Sequence, residues 1–126
     1  MLNERSEQRL LGVHLDLCRV VRAARSAAPF RFEISEGLRS KARQAELVKA
    51  GKSQTQNSRH LTGHAVDIVI LNNDGSANWD FSRYKTVSDV FKREANRLGV
   101  KITWGGDWKS LKDGPHFELD RSAYPA

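Results

Sequence analysis

The sequence predicts an α+β fold, a small and mostly antiparallel sheet packed with about three helices, and three observations predict it. Apolar residues recur at spacings of three and four in two long stretches. Short apolar or alternating runs, bounded by glycine, proline and asparagine, lie between and after them. The two kinds of segment do not follow the regular βαβ order that a parallel sheet requires.

In chain order, a first helix is expected from Ser6 to about Ala27, where Leu10, Val13, Leu17, Val20, Val21 and Ala24 line one face and arginines the other. Cys18, the single cysteine, falls at helical spacing from Val13, His14 and Val21, so it reads as a buried thiol with no partner for an intrachain disulfide. His14 is expected to pack on or bond near this helix. Pro29 follows, and "FRFEIS" alternates Phe30, Phe32 and Ile34 against Arg31 and Glu33, the pattern of a strand with one buried face. Gly37 marks a turn, Ser40 is an N-cap, and "KARQAELVKAG" is a second helix ending at Gly51. "KSQTQNSR" is polar and aperiodic, a surface loop.

The apolar run 65–71 is a strand. "NNDGSANWD" lacks the ligand spacing and closing glutamate of an EF-hand and is a connecting turn. Val87, Val90, Phe91, Ala95 and Leu98 line a third helix from about Ser82 to Leu98, capped by Gly99. "VKITW" is a strand, "GGDWKSLKDG" a loop and "PHFEL" a last strand. At 126 residues the chain is read as one domain, 1–126, too short for a catalytic domain plus a separate targeting module. The uncharged stretch Leu10 to Leu15 is too short for a signal peptide or a membrane span, so neither is expected.

The net charge of +6 favours an anionic partner such as nucleic acid, a membrane surface or a bacterial wall. Its basic residues are dispersed and carry no interleaved aromatic platform, so specific nucleic-acid binding is not expected.

The chemistry concentrates in "SRHLTGHAVDIVI", residues 58–70, which holds two of the four histidines. Strand parity puts Asp67 on the face of Ala65, Val69 and Leu71, where a charged carboxylate is costly unless paired or bound to metal. Gly63 allows a turn that brings His60 round to it. His64 is the rival ligand, but parity points it away from Asp67. A third ligand is sought among His14 and His116, and His116, between a Gly-Pro pair and a strand, suits a rigid site. A His, Asp, His set with an open fourth position is that of a catalytic zinc. Asp113 lies across the Gly114 turn and could act as general base; Glu118, on the face of His116, is the alternative base. Trp104 and Trp108 read as core or wall residues, and Asp107 as either an orienter of a ligand imidazole or a loop cap.

"SRHLTGHAVDI" followed some fifty residues on by "DGPHFEL" resembles the two signatures of the zinc peptidases related to VanY-type D-alanyl-D-alanine carboxypeptidases, which have the hedgehog/D-Ala-D-Ala-peptidase fold. With "WGGDW" and the short length, the chain looks most like the phage endolysins of that group, the L-alanyl-D-glutamate endopeptidases. The resemblance implies that His60, Asp67 and His116 bind Zn2+, that Asp113 is the base, and that Arg39 of "GLRS" polarises the scissile carbonyl or steadies the oxyanion. It leaves Ser58 to hold its loop or touch substrate. It also implies a monomer acting on peptidoglycan, made in the bacterial host cytoplasm and given access to the wall by a separate holin-like protein. The rivals are a D-Ala-D-Ala carboxypeptidase or dipeptidase and a non-catalytic wall-binding module.

Overall fold

The computed structural model describes residues 1–52, 58–109 and 112–125. The described residues form helices α1 (Glu4–Arg9), α2 (Leu15–Ala27), α3 (Lys41–Lys49) and α4 (Phe81–Leu98), and strands β1 (Phe32–Glu36), β2 (Ala65–Leu71), β3 (Ala77–Asn78), β4 (Ile102–Trp104) and β5 (His116–Leu119). The sheet runs β1-β2-β5-β4, with β3 added to the far end of β2, and its pairings are antiparallel. The α+β expectation stands, with four helices where about three were expected.

The extra helix arises because the first helix is broken. Leu10 caps α1, Gly12 takes the left-handed region (φ 84°), and His14 caps α2 by accepting a hydrogen bond from the Asp16 amide. The apolar spacing runs unbroken through the interruption because Leu10 and Val13 are buried in the same core as Leu17, Val20 and Val21. The reason for the break is tertiary: a Cβ on Gly63 would lie 2.3 Å from the Gly12 carbonyl oxygen, and one on Gly37 would lie 2.0 Å from that of Arg9. Two later turns thus dock directly on the α1–α2 junction.

One face of the sheet is the core. Val66, Ile68 and Ile70 of β2, Phe32 and Ile34 of β1, and Phe117 and Leu119 of β5 are fully buried, and Phe91 of α4 stacks on Phe117 with ring centroids 3.9 Å apart. Cys18 is among these core residues, as expected. The predicted solvent face of β1 is corrected at Glu33, which is buried beneath α1. There it accepts hydrogen bonds from the Ser6 hydroxyl (2.8 Å) and the Asn3 amide (2.9 Å) and pairs with Arg25 and Arg31. The connecting turn at 72–80 also contributes the short β3, paired to Ile70 and Leu71. Ser40 and Gly99 cap α3 and α4 as expected, and Asp80 starts α4. Of the polar loop, residues 53–57 lie outside the described residues, as do 110–111 of the second loop.

Candidate metal centre

The opposite face of β2 carries Asp67, Val69 and Leu71, all partly exposed. Register sets Asp67 opposite His116 of β5, and a 3₁₀ turn at Arg59–Thr62 lays His60 beside them. Ser58 caps that turn by accepting from the His60 amide at 3.2 Å, and Gly63 ends it with φ 75°. His60, Asp67 and His116 each offer a ligand atom, and those atoms lie within 4.8 Å of one another.

The protonation pattern shows what such a cluster needs. His60 Nδ1 lies 2.9 Å from the Gly37 carbonyl and must donate to it. In the neutral ring this leaves Nε2 as a lone pair, buried without a hydrogen-bond donor and 3.3 Å from Asp67 Oδ2. Two acceptors so close require a cation or a proton between them. His116 is flanked in the same way, with Nδ1 3.2 Å from Asp67 Oδ1 and Nε2 2.8 Å from Glu118 Oε1. Burial disfavours its charged form, yet Asp67 and Glu118 outweigh burial and push its pKa up to about 9. Burial likewise opposes charge on Asp67, but His116 and His60 hold its carboxyl well below the usual carboxylate range. Two imidazole nitrogens and a carboxylate oxygen converging this closely can hold a divalent metal, and such a donor set suits zinc. The donor set fits the ion that the sequence implies.

Around the three ligands, Arg39 lies 3.7 Å from Asp67 Oδ2. Its guanidinium is clamped by both oxygens of Glu36, each at 2.7 Å, and donates to Gln44 Oε1 at 2.6 Å. Asp113 is partly buried on the turn before β5. Burial and then the Asp67 charge raise its pKa, and His116, His60 and Arg39 pull the other way, so it belongs to the same electrostatic cluster. Its turn packs on Gly105, where a Cβ would come within 2.4 Å of the Asp113 carbonyl oxygen. Trp104, buried, donates its indole N–H to the Gly114 carbonyl at 2.7 Å. Trp108 forms a wall, its ring centroid 5.0 Å from that of His116.

The structure also places three residues whose roles the sequence left open, His64 among them lying away from Asp67 as strand parity indicated. Asp107 is exposed and bonds to Lys92 of α4 at 2.6 Å, while the His60 and His116 rings are bonded to the Gly37 carbonyl and Glu118. Glu118, considered as a base, is buried against His116, Arg59 and Arg121. His64 lies outside the cluster, bonded to Thr62 at 2.7 Å and packed near His14. Sequence reasoning missed Glu36 and Gln44. Their only signal was spacing: Glu36 stands three residues before Arg39, and Gln44 is a polar residue on the helix just after it.

The chain is similar to known proteins over nearly its whole length. The family described as phage L-alanyl-D-glutamate peptidase matches residues 1–124. The chain is 32% identical over 123 residues to the L-alanyl-D-glutamate peptidase of Escherichia phage T5, spanning 94% of this chain and 88% of that protein. The crystal structure of the Serratia marcescens L-Ala D-Glu endopeptidase ChiX superposes with a TM-score of 0.93 at 50% identity, covering 100% of this chain and 95% of that one. The vancomycin-resistance D,D-dipeptidase VanXYg, at 20% identity and a TM-score of 0.54 over 85% of this chain and 50% of that one, shares the fold.

Proposed function

Because the chain belongs to the phage L-alanyl-D-glutamate peptidase family, we propose that it is a zinc-dependent peptidoglycan endopeptidase that hydrolyses the L-Ala–D-Glu bond of the stem peptide. The observation that carries the zinc assignment is the buried His60 Nε2 lone pair facing Asp67, within a His, Asp, His set whose other nitrogens are already committed.

A zinc ion held by His60, Asp67 and His116 would acidify a water molecule and polarise the scissile carbonyl. Asp113 takes the proton from the attacking water and later returns one to the leaving amine. Its partly buried carboxyl, beside the charge of Asp67, is more basic than an ordinary aspartate, which suits both transfers. Arg39 provides a fixed positive charge for the oxygen that becomes negative, and Glu36 and Gln44 set the plane of its guanidinium. Trp108 packs beside His116, and Ser58 holds the His60 turn.

No helix among the described residues is long and apolar enough to cross a membrane. The protein acts as a monomer on the wall, after synthesis in the host cytoplasm and release through a membrane opened by a separate holin-like protein. The decisive experiment is mass spectrometry of purified peptidoglycan digested with the zinc-loaded protein, beside Asp113→Ala and a chelated sample. New fragments with N-terminal D-Glu, absent from both controls, are expected. Loss of terminal D-Ala alone would reassign the enzyme as a carboxypeptidase, and no cleavage by folded, zinc-bound protein would leave a wall-binding module.

A further inference from the structure

His116 differs from His60 in how its second nitrogen is occupied. His60 uses Nδ1 on a backbone carbonyl and offers Nε2 to the cluster. His116 offers Nδ1 and leaves Nε2 to Glu118, two residues along the same strand, at 2.8 Å. A carboxylate there fixes both the tautomer and the plane of the ring, because a neutral imidazole that donates from Nε2 carries its lone pair on Nδ1. Glu118 is itself buried, at 5% exposure, and is not free to turn. Its other oxygen faces Arg59 Nε at 3.9 Å and Arg121 Nε at 3.5 Å. Arg59 is in turn fixed by donating to the carbonyls of Leu119 (3.1 Å) and Tyr124 (2.7 Å). Both residues that flank the cluster in sequence, Arg59 beside His60 and Glu118 beside His116, thus meet behind it.

We propose that Glu118 is a positioning residue that presents His116 Nδ1 to the metal, held in place by Arg59 and the C-terminal turn. The proposal rests on the metal-centre reading above. It argues against Glu118 as the base, since one oxygen is bonded to His116 and the other, buried behind the ligand, faces the Arg59 and Arg121 guanidinium groups.

Glu118→Gln and Glu118→Met test it. Both remove the same charge at similar volume, but only glutamine keeps an acceptor for Nε2–H. Zinc affinity is measured by chelator competition, with the melting temperature of the metal-free protein alongside. Glu118→Gln should bind zinc close to wild type, and Glu118→Met about 10- to 100-fold more weakly, with similar metal-free melting temperatures. Equal zinc affinities in the two variants would overturn the proposal. Nitrogen-15 spectra of zinc-loaded wild type give a reading independent of either variant's folding: His116 should be protonated at Nε2 and ligating through Nδ1, and the opposite assignment would also overturn it. His60→Ala keeps the two ideas apart. If that variant binds zinc as wild type does, the metal centre itself is misplaced, whatever Glu118 does.

Discussion

The role proposed for Asp113 belongs to its carboxylate, yet its position is set almost wholly by backbone. Its amide donates to the Gly105 carbonyl at 3.0 Å, and its own carbonyl accepts from the His116 amide at 3.1 Å. Replacing Asp113 by alanine leaves these contacts and the three ligands intact. Zinc affinity should therefore persist while kcat falls by about 10²- to 10⁴-fold, the usual range for a general acid-base group; near-normal turnover would remove Asp113 from the reaction. Gly105→Ala is the complementary change. A Cβ there meets the Asp113 carbonyl oxygen at 2.4 Å and the His116 Cβ at 3.0 Å, so the turn must shift while the carboxylate remains. Turnover should fall with the protein still folded by circular dichroism, because displacements of this size disrupt reacting geometry. The two histidines of the first motif separate by the same logic: His60→Ala should lose zinc in a chelator titration, and His64→Ala, whose ring bonds to Thr62 and packs near His14 outside the cluster, should keep it.

The elements that carry these residues were legible to different degrees, and the differences have physical causes. Strand parity along β2 and the glycine after His60 suffice to bring Asp67 and His60 together, because both signals are local. The Asp67 and His116 pairing needed the register of β2 against β5, which a sequence does not print but the ligand chemistry implied. The break between α1 and α2 was hidden, since its cause is the approach of Gly37 and Gly63 from far along the chain. Gly63→Ala tests that packing. With φ 75° and a Cβ 2.3 Å from the Gly12 carbonyl, the substitution should cost more than about 1 kcal/mol and weaken zinc binding as well, because the same turn holds His60. Thermal melts with and without zinc would show both effects; a change in neither would mean the junction gives way freely. The docking of α1 on β1 was equally hidden, because alternation cannot reveal that a helix covers the charged face. Burial opposes charge on Glu33, but Asn3, Ser6, Arg31 and Arg25 prevail and lower its pKa below 4.5. The sign follows from that direction: its contribution to stability is present above the unfolded value and is lost as pH falls through the lower folded one. Acid below about pH 4.5 should therefore loosen α1 first, seen as early amide exchange at residues 4–9 and abolished as a pH effect in Glu33→Gln.

At the scale of the whole molecule, the three proposed ligands come from a turn, an inner strand and the strand beside it, so an ion bound there would tie together segments more than fifty residues apart in sequence. An ion that binds only the folded state adds RT ln(1 + [L]/Kd), about 2.7 kcal/mol at a hundredfold excess over Kd. Chelation should lower the melting temperature of wild type and leave that of His60→Ala unmoved. The net charge of +6 acts over a longer range. Among the described residues several basic side chains are matched nearby, as Arg22 is by Glu7, Lys92 by Asp107 and Arg97 by Glu94, and the remaining excess contributes a long-range positive field. Such a field would draw the enzyme toward an anionic wall, and it is screened as the Debye length falls from about 8 Å at physiological salt to about 3 Å at 1 M. The cluster of Arg39, Asp113 and the three ligands is largely buried and is screened much less. Raising salt should therefore slow lysis of intact walls steeply while barely changing cleavage of a small soluble stem peptide. If both rates fall together, the charge serves the reacting site; if neither falls, the field plays no part in finding the wall.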